Sequence, residues 1–289
     1  MVRILNLMLC VAAQPVLAMD QPMGRENVKV MKVTVSKPTT LDWTFALSNQ
    51  SLAAPPEQWF KEPYDPKQQN YDIQLPKSHD AKKASPLILF VSPNDRPSGL
   101  KEWGRACHRL GILIASPYQA GNNCPSPRRI RIVMDVLGDI RSKYKIDPDR
   151  TYIGGFSGGG RIACGIGFSL PEYFGGVIPV CAGGELRRES WLRQRVIDRL
   201  SVAQLTGTSD FNRGEVERWH QTELSGVGVR CRTWVANGGH SIPRDSIFLQ
   251  AWNWLEDDLA RRRSFGKKWP AARIAEDDSR ELSAERLLA

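Results

Sequence analysis

The run Gly155-Phe156-Ser157-Gly158-Gly159 sets a serine among glycines, directly after the β-type segment Arg150-Thr151-Tyr152-Ile153-Gly154 and before the helix-compatible residues 161–166. G-x-S-x-G between a strand and a helix presents a serine hydroxyl on a sharp turn, where it can attack a carbonyl carbon. The spacing has a physical cause. The serine takes a strained backbone conformation to lift its hydroxyl above the sheet edge, so the positions around it must lack bulk. Gly155 and Gly159 give that clearance, and Gly158 adds more.

A serine nucleophile needs a base to accept its proton and an acid to orient the base. After a strand-turn-helix serine these follow in the chain order acid, then histidine. The chain has four histidines. His79 and His108 precede Ser157, and His220 falls within a helical stretch over 215–224. His240 follows the last expected strand in the loop Asn237-Gly238-Gly239-His240-Ser241-Ile242-Pro243, where an imidazole can reach the serine. Asp210, between a strand and a helix in Thr206-Gly207-Thr208-Ser209-Asp210-Phe211-Asn212-Arg213, is the preferred acid, with Glu185 as the alternative. A helix N-cap is the other common role for an aspartate at such a junction, and Ser209 or Asn212 could fill it instead. An acyl intermediate also needs two N–H donors for its oxyanion. The backbone N–H of Gly158 is one; the other is expected from the loop Ser92-Pro93-Asn94. Pro93 has no N–H, which leaves Ser92, the preferred residue, or Asn94.

These residues need a sheet to position them. Continuous apolar strands are expected at 87–91, 112–115, 176–180, 202–205 and 229–235, alternating with helices at 100–110, 128–144 and 246–259. That pattern means an α/β fold with a mostly parallel sheet covered on both faces. Asp147-Pro148-Asp149 reads as a turn into the serine's strand. Strands at 28–35, 42–47 and 71–75 are expected to extend one sheet edge. One domain is expected over 19–260, with N-terminal edge strands over 28–75 and a core over 86–260. Residues 261–289 turn charged and read as a tail outside that core.

The N-terminus carries Arg3, an apolar run over 4–13 and the small-residue exit Val16-Leu17-Ala18. This is the layout of a signal peptide over 1–18, cleaved after Ala18, and it predicts a secreted or periplasmic protein. The run is shorter than the ~20 residues a membrane span requires. Export would leave Cys107, Cys124, Cys164, Cys181 and Cys231 in a disulfide-permissive compartment, with one or two bridges and a free thiol expected. Cys107 and Cys124 flank one strand and are a plausible pair. No Cys/His spacing suited to zinc occurs, and no cofactor or metal is expected. The net charge of +9 comes partly from scattered arginines that fall on expected helix exteriors and the C-terminal end, so solvated surface is expected and nucleic acid is not.

Residues 71–254 resemble the secreted α/β-hydrolase esterases of the polyhydroxybutyrate-depolymerase and feruloyl-esterase kind. The matching pieces are Ser116-Pro117-Tyr118-Gln119 with Cys124, Ile146-Asp147-Pro148-Asp149-Arg150-Thr151-Tyr152, Gly155-Phe156-Ser157-Gly158-Gly159, Pro171-Glu172-Tyr173-Phe174-Gly175-Gly176 and Gly238-Gly239-His240. The resemblance implies the α/β-hydrolase fold, with Ser157 as nucleophile, Asp210 as acid and His240 as base. It also implies hydrolysis of a small-molecule, polysaccharide-linked or polyester-linked ester. The Trp-rich stretch usual after the Cys124 position is replaced by Pro125-Ser126-Pro127-Arg128-Arg129, which alters the rim where an aromatic acyl group or polymer would lie. A serine peptidase of the prolyl-oligopeptidase type and a non-catalytic hydrolase-like binding protein are the competing expectations.

Overall fold

The computed structural model describes residues 28–41, 43, 46 and 64–268. The expected signal peptide over 1–18, most of the expected strand over 42–47 and residues 269–289 lie outside them.

The third strand shows how the sheet is built. β3 (Ser85–Val91) is buried along its whole length, and successive side chains alternate between two apolar layers, as the strand period of two requires. Leu87, Leu89 and Val91 join Val133, Leu137 and Ile140 of α2 (Ser126–Lys143), with Ile162 and Ile166 of α3 (Gly158–Ser169). Ile88 and Phe90 join Trp103 and Ala106 of α1 (Leu100–Leu110), with Phe248, Trp252 and Leu255 of α6 (Asp245–Glu256). Helices therefore cover both faces, and continuous apolar strands are the sequence consequence.

The remaining strands are β1 (Val30–Thr34), β2 (Asn70–Gln74), β4 (Leu113–Pro117), β5 (Ile146–Phe156), β6 (Gly176–Val180), β7 (Ser201–Gly207) and β8 (Arg230–Ala236). Their order in the sheet is β1-β2-β4-β3-β5-β6-β7-β8. β1 and β2 are antiparallel at one edge, and every pair from β4 to β8 is parallel. The chain moves outward from β3 to β4 and then reverses through β5, so the connections diverge above the carboxyl ends of β3 and β5. Ligand sites of open parallel sheets form at such a reversal.

Three elements differ from expectation. Asp147-Pro148-Asp149 lies within β5 rather than before it; Ser85 pairs with Ile146, and a register shift before Leu87 absorbs the proline. The helix expected at 215–224 is α5 (Arg213–Trp219) followed by one wide π turn, His220–Leu224. α4 (Ser190–Arg199) was not anticipated.

The boundary expected at residue 260 is corrected. α7 (Leu259–Lys268) continues into the body, and Arg262 and Phe265 are buried. The Arg262 guanidinium donates to the carbonyls of Asp149 (2.9 Å) and Leu255 (2.6 Å) and to the Tyr152 hydroxyl (2.8 Å). A buried cation is tolerated where every N–H finds an acceptor, so charge alone misplaces this segment. The disulfide expectation is corrected too. Among the described residues no disulfide joins Cys107, Cys124, Cys164, Cys181 or Cys231. Cys107 packs in the apolar layer beneath α1, while the Cys124 thiol faces the Pro125 carbonyl.

Removing the Arg262 guanidinium takes a buried donor from the Asp149 and Leu255 carbonyls and from the Tyr152 hydroxyl, which keeps its bond to Glu256. Arg262→Ala is expected to lower unfolding free energy by about 3 kcal/mol, in the range for breaking a buried hydrogen-bond network. Urea unfolding followed by tryptophan fluorescence measures this; an unchanged midpoint would place α7 outside the cooperative core.

Candidate active site

Ser157 sits between the last residue of β5 and the first of α3, with φ 52° and ψ −122°. A non-glycine residue with positive φ is strained, and such strain concentrates at functional sites. It is held from both sides. The Ser157 N–H donates to the Val180 carbonyl at the end of β6 (2.8 Å), and its carbonyl accepts from Arg161 N–H (3.2 Å). Its hydroxyl does not cap the helix it precedes.

The glycines are required by close approach. A Cβ on Gly159 would lie 2.1 Å from the Val91 carbonyl oxygen, and one on Gly155 would lie 2.5 Å from the Gly159 carbonyl. Backbone meets backbone at both places, so no side-chain adjustment relieves them. The first turn of α3 is thereby pressed onto the end of β3. The N–H groups that open a helix lack intrahelical partners, and that of Gly158 lies next to the serine. Ser92 is buried just after β3, beside Gly159. Its hydroxyl accepts the Asn94 N–H (3.1 Å) and its carbonyl accepts from Arg129 (3.3 Å). Ser92 is thus brought against Gly159, the residue after Gly158, at the Ser157 turn.

Asp210 and His240 lie on the loops after β7 and β8. These adjacent loops are tied by Thr208 N–H to the Ala236 carbonyl (2.9 Å) and Ser209 N–H to the Gly238 carbonyl (2.8 Å). His240 Nδ1 is 2.7 Å from Asp210 Oδ1. The imidazole also lies against Phe156, the residue before the serine, with ring centroids 4.9 Å apart. Three residues past His240, the Pro243 carbonyl accepts from the buried Trp103 indole of α1 (2.9 Å). Glu185, the alternative acid, is exposed on the loop after β6. His220 is engaged elsewhere, with Nδ1 3.0 Å from both Gln204 Oε1 and Thr233 Oγ1.

The Asp210 carboxyl is held below the usual carboxylate range. Burial opposes its ionisation, but hydrogen bonds from Thr206, His240, the Asn212 backbone and Cys181 outweigh that. Thr206 Oγ1 donates at 2.6 Å and Asn212 N–H at 3.0 Å. The Asn212 contact closes a turn within the loop, while the N-cap position of α5 falls on Asn212, so Asp210 does not take the helix N-cap role that competed with the acid role.

Cys181, Asn122 and Phe211 were not singled out from the sequence. Cys181 has φ 52° and follows β6. Its thiol, Asp210 and His240 each bring one ligand-type atom within 4.8 Å of the others. Burial and the neighbouring carboxylate push this thiol up to about 12, so at neutral pH it is a weak donor and not a thiolate ligand. With the imidazole and carboxylate already paired, this donor set suits a hydrogen-bonded cluster better than a metal centre. The Asn122 carboxamide lies over Gly158, where a Cβ would meet its oxygen at 2.1 Å. Arg129 donates to that oxygen (3.3 Å). Loop residues such as these carry no periodic signal. A separate pocket of about 400 Å³, lined by Asp198, Arg230, Asp258, Arg261 and Lys268 among others, lies where β7 and β8 begin, at the opposite end of the sheet. Its acids pair with its own bases.

The two kinds of glycine in α3 separate clearance from mere flexibility. Gly159→Ala is expected to prevent soluble folding or to remove the Ser157 turn. Gly165, exposed and with nothing within 4 Å of an added Cβ, is expected to gain about 0.5–1 kcal/mol on change to alanine. Melting curves of the two variants test this; equal behaviour would refute the close-approach argument.

No protein-family model and no curated protein matches the chain. Solved structures do. A thermostable esterase superposes with a TM-score of 0.51 at 19% identity, over 68% of this chain and 61% of its own. A ferulic acid esterase gives 0.54 at 17% identity, over 81% of this chain and 98% of its own. A Bacteroides ovatus ATCC 8483 protein provisionally named a dipeptidyl aminopeptidase IV gives 0.55 at 11% identity, over 80% of this chain and 36% of its own. At these identities the likeness bears on architecture. Taken with the strand order and the turn after β5, it gives the chain the α/β-hydrolase fold.

Proposed function

We propose that the protein is a secreted serine hydrolase that cleaves carboxylic esters through an acyl-enzyme on Ser157. The observation that carries this reading is the 2.7 Å contact between His240 Nδ1 and Asp210, on an imidazole packed against the residue before Ser157. An ionised Asp210 accepts the Nδ1–H and leaves Nε2 as the basic nitrogen. Ser157 Oγ attacks the ester carbonyl carbon as its proton passes to His240 Nε2. The resulting oxyanion takes N–H donation from Gly158 and from the Ser92 loop. His240 then protonates the departing alcohol oxygen as the carbon–oxygen bond breaks, leaving the acyl group on Ser157. Water, deprotonated by His240, attacks that acyl ester and returns the serine. The esterase neighbours support small-molecule esters, and polysaccharide- or polyester-linked esters belong to the same chemistry. The Ser-His-Asp arrangement also serves amide cleavage, so a peptidase reading is tested alongside.

A serine-directed fluorophosphonate is expected to label the wild type and not Ser157→Ala. Turnover of p-nitrophenyl acetate and butyrate is expected to fall roughly 10⁴-fold in Ser157→Ala and in Asp210→Asn, the size seen when one member of such a triad is removed. An unlabelled wild type refutes the hydrolase reading, and turnover of a proline-containing peptide amide but of no ester refutes the ester assignment. For export, the mature protein recovered from expressing cells is expected to begin at Met19; retention of residues 1–18 would remove that part of the proposal.

A further inference from the structure

Phe211 is 78% exposed, far more than Val30 (44%) or Val235 (40%), the other large apolar side chains on the described surface. An exposed phenylalanine forgoes the burial that ordinarily accounts for its presence. Its place is not arbitrary. The ring stacks on His240 with centroids 4.0 Å apart and planes 26° apart, opposite in role to Phe156 within the sheet edge. Its backbone is pinned on both sides: Asp210 N–H donates to the Gly207 carbonyl (3.2 Å), Asn212 N–H donates to Asp210 Oδ1 (3.0 Å), and Arg213 N–H donates to the Asp210 carbonyl (3.1 Å). The structure thus places an apolar ring in solvent, stacked on the imidazole.

We propose that Phe211 forms the leaving-group subsite of the Ser157 reaction and selects esters of neutral alcohols that carry a flat apolar ring face. This rests on the esterase reading above. In that reaction His240 delivers a proton to the departing alcohol oxygen, so the alcohol portion of the substrate lies on the histidine side of Ser157. A ring stacked on the imidazole extends that side outward and offers its uncovered face to whatever the oxygen carries. Offset stacking on an aryl ring and C–H contact with the apolar face of a pyranose use the same surface. The neighbouring charges argue for a neutral alcohol. Arg161 is bidentate to Glu215, and Arg213 pairs with Glu217 while also donating to the Thr208 carbonyl. Neither pair leaves a net charge to attract a phosphate- or carboxylate-bearing leaving group.

The test compares acetates of three primary alcohols: benzyl acetate, 6-O-acetylglucose and methyl acetate. The acyl group is constant, so differences report the alcohol side. Wild type, Phe211→Ala and Phe211→Tyr are assayed for KM and kcat, with fluorophosphonate labelling as a separate readout of Ser157. Phe211→Ala is expected to lower kcat/KM for benzyl acetate about tenfold more than for methyl acetate, mainly through KM, and Phe211→Tyr is expected to retain the wild-type ratio. The same selective loss on 6-O-acetylglucose identifies the shared ring face; loss on one ring substrate alone assigns the subsite to that source. Equal loss on all three acetates makes Phe211 a group that only orients His240 and overturns the proposal. No change on any of them overturns it as well. A wild type that is neither labelled nor active on any ester overturns the hydrolase reading first and this one with it.

Discussion

The approach of α3 onto β3 is the constraint on which the rest of the site depends. A helix that starts one residue after its strand must lay its first turn across the end of the neighbouring strand. Here the meeting point is Gly159 against the Val91 carbonyl, and the gap admits no side chain. The contact makes the positive φ of Ser157 the way to join the two elements, at a backbone cost of about 1–3 kcal/mol. That cost is offset locally by the bonds to Val180 and Arg161. The same contact places the opening N–H groups of α3 beside the loop after β3. Strain and clearance are consequences of one geometric demand.

Asp210 and His240 meet each other because their strands do. β7 and β8 are parallel neighbours, and their carboxyl-end loops bond to each other. The histidine loop is held a second time from across the sheet, by the Trp103 indole. A buried carboxylate without donors would protonate; with Thr206, Asn212, His240 and Cys181 around it, Asp210 stays charged. The thiol contributes because it remains a thiol. Burial and the adjacent carboxylate keep Cys181 protonated, so the two groups stabilise each other's protonation state.

The sheet was legible because burial on two faces leaves runs such as Leu87-Ile88-Leu89-Phe90-Val91 that no amphipathic helix would show. The turn at Ser157 and the pairing of Asp210 with His240 were legible because chain order and flanking glycines mark the loops that carry them. What escaped depends on partners remote in the chain. Arg262 reads as a solvated charge until Asp149 and Tyr152, more than a hundred residues earlier, supply its acceptors. Cys107 and Cys124 flank β4 in sequence, yet one points into the layer under α1 and the other along its own loop. Asn122 and Phe211 sit on loops, where position is set by what the loop docks against and not by any period.

The arginines show why net charge is a poor guide to this protein's partners. Arg129 donates to the carbonyls of Ala120 and Ser92, joining the loop after β4 to the loop after β3 behind the Ser157 turn. Arg199 reaches the carbonyls of Phe174, Pro148 and Arg262, and Arg261 reaches that of Leu200. Each guanidinium offers several donors in a fixed fork, so one side chain can close carbonyls at the ends of two or three elements at once. Lysine could not substitute, since it offers a compact point charge in place of a planar fork. Burial lowers the tendency of Arg129 to stay protonated, and the neighbouring Cys124 and Asp95 act the other way. Much of the positive charge therefore binds the protein to itself. A basic surface arranged for an anionic polymer would hold its cations outward along one face; here Arg129, Arg199 and Arg262 are buried, and Arg129 braces the loop after β3 against the loop after β4.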